Sequence, residues 1–312
     1  MNFIDMHCDT IYKLMDDPRF KLYKNNFSID IEKMKKANYK AQFFAIFVDA
    51  EETPNRLDRA LSMANRFYVA MEKNTEYIKL ATNYEELKHN ESQGKISAFL
   101  TIEEGGVLEG DISNLKKFYD LGVRLITLTW NFKNEIAYPA YDRVNNNKGL
   151  TPFGIEVIEQ MNNLQMIIDV SHLSDGGFYD VVKYSKYPFV ASHSNARTVQ
   201  NHQRNLTDEM IKILANRGGV TGINFCTEFL AEDRISKVEH MVNHIKHIKN
   251  IGGVDVVALG TDFDGIHSKV EIEDASQMGK LVYALEKENF SADEIEKICY
   301  KNIERVIKDT LK

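Results

Sequence analysis

Met166-Ile167-Ile168-Asp169-Val170-Ser171-His172 and Phe189-Val190-Ala191-Ser192-His193-Ser194 are two short apolar runs that each end in a Ser-His pair. Short Val/Ile-rich runs of this length read as buried strands. Two such strands, each delivering a histidine at its carboxyl end, suit a parallel barrel, where strand ends converge on one mouth.

The pattern extends in both directions. Further strands are expected over Phe3 to His7, Lys40 to Phe47, Ile96 to Ile102, Arg124 to Thr129, Val220 to Phe225 and Val256 to Gly260, with an extra short one around Tyr77 to Ala81. Amphipathic stretches such as Arg56 to Lys73, Ile112 to Asp120, Pro152 to Leu164, Asp208 to Asn216 and Ser236 to Lys249 separate them. Thr151-Pro152 and Ser291 with Glu294 are helix-start signals. Gly122, Gly218-Gly219 and Gly252-Gly253 stand where helices should stop. Alternating strands and helices predict an α/β chain of (β/α)8 type, with terminal helices after Ile266 and one domain over residues 1–312.

The 312 residues, 43% of them hydrophobic, suffice for a large core, and a net charge of −7 with dispersed acids makes nucleic acid an unsuitable partner. The three cysteines, Cys8, Cys226 and Cys299, form no CxxC pair and suit a reducing compartment. With neither an export signal nor a membrane-length apolar run, the expectation is a cytoplasmic protein without a membrane partner.

Residues with metal-ligand chemistry end several of these runs. His7 and Asp9 are two apart, so an extended chain points both to one side; a core histidine followed by a helix cap is the alternative. Glu104 precedes Gly105-Gly106, glycines that permit a sharp turn and close backbone approach to a ligand, and its two oxygens could bridge two cations. Glu103 and Glu104 also fit as solvated loop acids. His172 and His193 supply the nitrogen ligands that zinc commonly takes. Asp262 emerges from the last strand, where it could move a proton between water and a leaving amine; capping of the next helix is its alternative. Asp264 reads as the partner of a turn. A calcium loop over Asp262 to Gly265 lacks the acidic spacing of an EF-hand.

These residues lie in motifs that together resemble the membrane (renal) dipeptidase family of the amidohydrolase superfamily. They are Asp5-Met6-His7-Cys8-Asp9, Ile102-Glu103-Glu104-Gly105-Gly106, Leu125 to Asn131, Ile168 to Asp175, Ala191 to Arg197 and Gly260 to Gly265. The resemblance implies a distorted (β/α)8 TIM barrel carrying two zinc ions, which hydrolyses dipeptides, L,D forms included, by metal-activated water. It implies one metal on His7, Asp9 and Glu104 and a second on Glu104, His172 and His193. Asp262 matches the family's acid/base, and Arg197 its receptor for the substrate carboxylate. Trp130 stands where mammalian members have a substrate-binding histidine, and Cys226 where they have a tyrosine. A homodimer is consistent with the resemblance.

Two other functions remain open on the residues alone. Another amidohydrolase, such as a deaminase, lactonase or phosphoester hydrolase, is one. Deaminase-type sites usually begin His-x-His, however, and no lysine ends the run Arg124 to Thr129 to serve as a carbamylated bridge. A non-catalytic metal- or peptide-binding barrel is the other, because fold alone does not set function. Elsewhere, Phe43-Phe44-Ala45-Ile46-Phe47 reads as barrel core, and His240, His244 and His247 as a solvated helix face. His202, Arg204 and Asn205 are expected near the mouth.

Overall fold

The computed structural model describes residues 1–312. Its strands are β1 (Phe3–Asp5), β2 (Tyr39–Phe47), β3 (Ile78–Leu80), β4 (Ile96–Glu103), β5 (Val123–Thr127), β6 (Ile167–Asp169), β7 (Val190–Ala191), β8 (Val220–Ile223), β9 (Ile235–Ser236), β10 (Val257–Leu259) and β11 (Lys269–Val270). Eight of them, β1, β2, β4, β5, β6, β7, β8 and β10, pair in parallel in that cyclic order. Seven residue pairs from Ala41↔Ser97 to Phe47↔Glu103 join β2 to β4 and close the ring. The extra strand β3 pairs with Ile96–Ala98 at the start of β4, leaving Leu100–Glu103 to β5.

The helices form where the sequence patterning puts them, over Arg56–Glu72, Ile112–Asp120, Pro152–Asn163, Asp208–Asn216 and Val238–Gly252. Thr151 Oγ1 accepts from Gly154 N at 3.0 Å, with Pro152 at a first-turn position whose missing N–H costs nothing there. Ser291 and Glu294 hydrogen-bond each other's backbone N–H in a capping box. Gly122, at φ +88°, ends the helix before β5 in a conformation that a Cβ would oppose.

Two apolar clusters follow from the two faces of a barrel strand. Leu100, Ile102, Ile126 and Ile168 face outward and pack under the helices. Ile4, Phe43, Phe99, Leu125, Ile167, Val190, Val220 and Ala258 fill the barrel, joined by Ile303, Val306, Ile307 and Leu311 of the C-terminal segment. The last helix, Asn302–Thr310, thereby closes the amino end of the barrel, anchored by Asn302 Nδ2 donating to Val254 O and Val257 O, each at 2.8 Å. Polar chemistry is left to the carboxyl end. No helix is long and apolar enough to cross a membrane.

Candidate metal centre

Strand parity selects the carboxylate at the centre. On β4, Phe99 points into the barrel, and period two carries Thr101 and Glu103 to the same side. Glu103, the last residue of β4, therefore projects into the mouth. Its Oε2 lies 3.2 Å from His7 Nε2, and its Oε1 lies 3.1 Å from His172 Nε2 and 3.5 Å from His193 Nε2. His7 Nε2 is also 3.4 Å from Asp9 Oδ2 and 3.8 Å from Asp262 Oδ1. The structure thus brings together His7, Asp9, His172, His193 and Asp262 from the ends of four strands, β1, β6, β7 and β10.

Glu104, expected as the bridging ligand, is not in this cluster. The chain leaves the strand at Glu104, where φ is +82°. Its carboxylate turns away to accept from Gly106 N at 2.7 Å, Trp130 N at 2.8 Å and Asn134 Nδ2. It holds the loop after β5, including the backbone of Trp130. The two glycines likewise serve chain packing rather than ligand approach: a Cβ on Gly105 would stand 2.8 Å from Leu128 O.

Burial and hydrogen bonding give the donors suitable forms. His172 is lowered to about 3 by burial, with the Arg204 charge adding to the effect. Burial and the charge of His7 push His193 well down. Both are neutral imidazoles. His193 Nδ1 is 2.7 Å from Ser192 Oγ, which donates at 2.5 Å to Asp169 Oδ2, and His172 Nδ1 is 2.8 Å from Asn131 Oδ1. Protons on Nδ1 leave both Nε2 lone pairs facing the cluster, as metal ligation requires. Burial disfavours charge on His7, but Glu103 and Asp9 outweigh it and raise its pKa well above the usual value, so a positive charge is favoured at that point. Burial opposes ionisation of Glu103 too, and the charge of His7 is the largest effect that overcomes it. His7 Nδ1 and Nε2 and Asp9 Oδ1 are buried without a hydrogen bond. Orphaned donors of nitrogen and oxygen type around a shared carboxylate fit a borderline divalent cation.

Asp262 sits on the rim of the cluster at φ +62°. Its pKa is raised to about 8 by burial and by the charges of Asp9 and Glu103, against which His7 and a 2.9 Å hydrogen bond from Asn224 Nδ2 act. Gly265 roofs it, since a Cβ there would fall 2.1 Å from Asp9 Oδ2 and 2.7 Å from Asp262 Oδ1. Asp264 accepts from Thr10 Oγ1 at 2.7 Å and from Ser28 N at 2.6 Å, tying neighbouring loops together.

Arg197 is committed elsewhere. Its fork is bound to both oxygens of Asp175, each at 2.8 Å, and its Nε donates to Asn205 O. Arg204, from the same loop, is the unpaired cation beside the centre, where its charge acts on His172 and His193: it is only 3% exposed, its Nε has no partner, and no carboxylate lies within ion-pair distance. Its remaining bonds are 3.3 Å contacts to Ser194 Oγ and His193 O, with the Phe229 ring at 5.2 Å. The fields of Asp262 and Glu103 support its charge against burial. A buried, singly charged fork without an anion calls for one from a ligand.

Trp130 lines the cavity above the cluster, and so do Phe47, Tyr141 and Cys226. Phe47 is therefore mouth rather than core. His244 is corrected as well: it is buried, accepts from Ala196 N at 3.1 Å and pairs through Nε2 with Leu230 O at 3.0 Å.

The whole chain, residues 1–312, matches the membrane dipeptidase family, peptidase family M19. It is 30% identical over 335 residues to an uncharacterized dipeptidase of Schizosaccharomyces pombe, covering 98% of this chain and 80% of that protein. It is 36% identical over 218 residues to an uncharacterized protein of the pqqA 5′ region of Klebsiella pneumoniae, covering 67% of this chain and 80% of that one. Among solved structures it resembles dipeptidase AC, a metallopeptidase of family M19, with TM-score 0.93 and 25% identity over 100% of this chain and 99% of that one. The fold also matches a Rhodobacter sphaeroides metallopeptidase liganded with a phosphinate mimic of L-Ala-D-Ala, with TM-score 0.91, 24% identity and 99% of each chain covered. A cation-seeking cluster at the mouth of a closed parallel barrel and a family match along its full length have one consequence: this chain belongs to the membrane dipeptidase family, M19, of metal-dependent peptide hydrolases.

Proposed function

We propose that this chain is a binuclear zinc dipeptidase in which Glu103 bridges the two ions. The observation that carries the reading is the two-sided Glu103 carboxylate, Oε2 at 3.2 Å from His7 Nε2 and Oε1 at 3.1 Å from His172 Nε2. His7, Asp9 and Glu103 would hold one ion, and Glu103, His172 and His193 the other, a nitrogen and oxygen set that suits zinc. When bound, the ions supply Lewis acidity to a carbonyl and acidify water.

The chain's own groups do the rest. Arg204 receives the C-terminal carboxylate, which sets the scissile bond one residue away and favours dipeptides over longer chains. Asp262 takes a proton from the attacking water and passes it to the departing nitrogen as the C–N bond breaks, a task that its place on the rim, 3.8 Å from His7 Nε2, allows. Arg204 addresses the carboxylate rather than the second side chain, so the reading extends to L,D dipeptides. Unpaired Cys8, Cys226 and Cys299 support a cytoplasmic setting, which recovery of the protein in a secreted fraction would refute.

The test is metal content and hydrolysis on one purified sample, before and after chelation, with L,L, L,D and C-terminally blocked dipeptides. About two zinc per chain, chelator-sensitive cleavage and loss of activity on blocking are expected. Two metals without cleavage of any dipeptide would move the function to another substrate of the superfamily, and failure to take up metal would overturn the centre itself.

A further inference from the structure

The cavity above the cluster, about 610 Å3, has two unlike walls. Toward β8 it is lined by Tyr141, Cys226, Glu228 and Phe229, with Arg204 packed against Phe229. Across the mouth stands an aromatic wall of Tyr12, Phe47 and Trp130. Tyr12 and Phe47 meet edge-on with centroids 5.7 Å apart, and Phe47 and Trp130 likewise at 4.9 Å. The wall begins 6.4 Å from the His172 ring, measured from Trp130. Hydrogen bonds from Trp130 N and Asn134 Nδ2 to Glu104 anchor its loop from behind, while Tyr12 remains 39% exposed.

Cyclic strand order decides which part of a substrate meets this wall. Phe47 ends β2, and Arg204 follows β7, which lies on the opposite side of the ring. A dipeptide with its carboxylate at Arg204 and its scissile bond over the cluster must extend its amino-terminal residue toward β2 and β5.

We infer that Tyr12, Phe47 and Trp130 form the pocket for the amino-terminal side chain, and that the enzyme prefers dipeptides beginning with a large apolar or aromatic residue. The inference rests on the dipeptidase reading and names its substrate class. A half-exposed run of rings gains by covering apolar surface, and Lys13, the lysine that also lines the cavity, is engaged by the charge of Asp264. The preference belongs to the first residue and not to the second, whose side has Glu228 and Tyr141.

The test is kcat/KM for Gly-Ala, Ala-Ala, Leu-Ala, Phe-Ala and Asp-Ala, against Ala-Gly, Ala-Leu and Ala-Phe, on the metal-loaded enzyme. Leu-Ala and Phe-Ala should exceed Gly-Ala by about tenfold or more, while the second position varies less. In F47A and Trp130→His the Phe-Ala to Gly-Ala ratio should collapse, a ratio that does not depend on how much of each variant is folded. Trp130 is the one tryptophan of the chain, so its fluorescence gives a second readout. A phosphinate analogue of Phe-Ala should perturb it and bind about tenfold tighter than the Gly-Ala analogue. Cleavage of all dipeptides with no first-position preference would overturn the pocket and leave the dipeptidase reading intact. No cleavage of any would overturn both.

Discussion

The two halves of the centre are built differently. Behind His172 and His193, every Nδ1 has a partner, and Asp169 reaches His193 through Ser192. Around His7 and Asp9, neither imidazole nitrogen has a hydrogen bond, and the attraction comes from the charges of Glu103 and Asp9. Yet the same device lies beneath both. Asp169 accepts from Ser171 N at 3.0 Å and Ser192 N at 2.8 Å, fixing the end of β6 to the end of β7. Asp5 accepts from His7 N at 3.4 Å and from Thr261 N and Oγ1 at 2.9 and 2.7 Å, fixing the end of β1 to the end of β10. The hydroxyl on Asp169 goes on to orient a histidine; the hydroxyl on Asp5 does not. One half is oriented by hydrogen bonds before any ligand arrives, and the other is shaped by charge, so the first should hold its metal more tightly.

Removing the group common to both halves is the harshest test. Glu103→Gln should cost both metals and about 10³-fold or more in kcat/KM, the several kcal/mol that metal stabilisation of charge is worth. Glu104→Gln should keep the metal and lower thermal stability through its loosened bonds to Gly106, Trp130 and Asn134. Equal metal loss in the two variants would undo the choice of Glu103.

Next in size is the arginine behind the oriented half. Arg204→Ala should lower kcat/KM by about 10²-fold, mostly through KM, as expected for a buried charge that meets a substrate carboxylate. Blocking the C-terminus should then make little further difference in the variant. Arg197→Ala should disturb the Asp175 pairing instead and leave the effect of C-terminal blocking as in the parent. The reverse pattern would return Arg197 to the carboxylate.

Asp169→Asn separates the halves directly. It should weaken metal binding by about 10–100-fold in the His172/His193 half, the usual range for a group that orients a ligand, and affect the other site less. Asp5→Asn should weaken either site less, because no imidazole depends on it. Calorimetric zinc titration reads both, and identical changes at the two sites in Asp169→Asn would erase the difference between the halves.

Much of this was visible in the chain alone, for a physical reason. Short apolar runs ending in His or Asp are buried strands that meet water and ligands only at their carboxyl tips, so His7, Asp9, His172, His193 and Asp262 could be placed without any contact information. The misplaced carboxylate comes from a strand buried on both faces, where apolar residues on each side blur the alternation. A weaker signal was present: Ser97, Thr101 and Glu103 share one parity, while Ala98, Leu100 and Ile102 share the other. Arg204 could not be told from Arg197, because what separates them is a pairing with Asp175, distant in sequence. The orienting groups Asp169, Ser192, Asn131 and Asp5 were hidden likewise, since a buried acceptor is recognised by its partners. His244 was legible after all, for Met241, His244, Ile245 and Ile248 follow the i, i+3, i+4, i+7 spacing of a buried face.

That histidine sharpens the comparison at its outer edge. His244 ties the segment after His193 to the segment after β8 through Ala196 N and Leu230 O, bracing the oriented half from outside. Burial lowers its pKa from 6.5 to about 4, a fall that the bond to Leu230 resists and the neighbouring His247 and His240 assist. The folded value lies below the unfolded one, so between those limits the unfolded chain binds the proton and the folded chain does not. The contribution of His244 is therefore complete above about pH 6.5 and declines as the pH falls toward 4. Between pH 7.5 and 5.5 the parent should lose roughly 1.4 kcal/mol more unfolding free energy than His244→Gln, whose side chain does not titrate. Urea unfolding of the two proteins at both pH values measures this as a difference of differences, in which the histidines of the centre cancel. Parallel losses would mean that His244 takes up its proton in the folded chain at the ordinary pH, and that the bracing of the oriented half does not depend on a neutral imidazole.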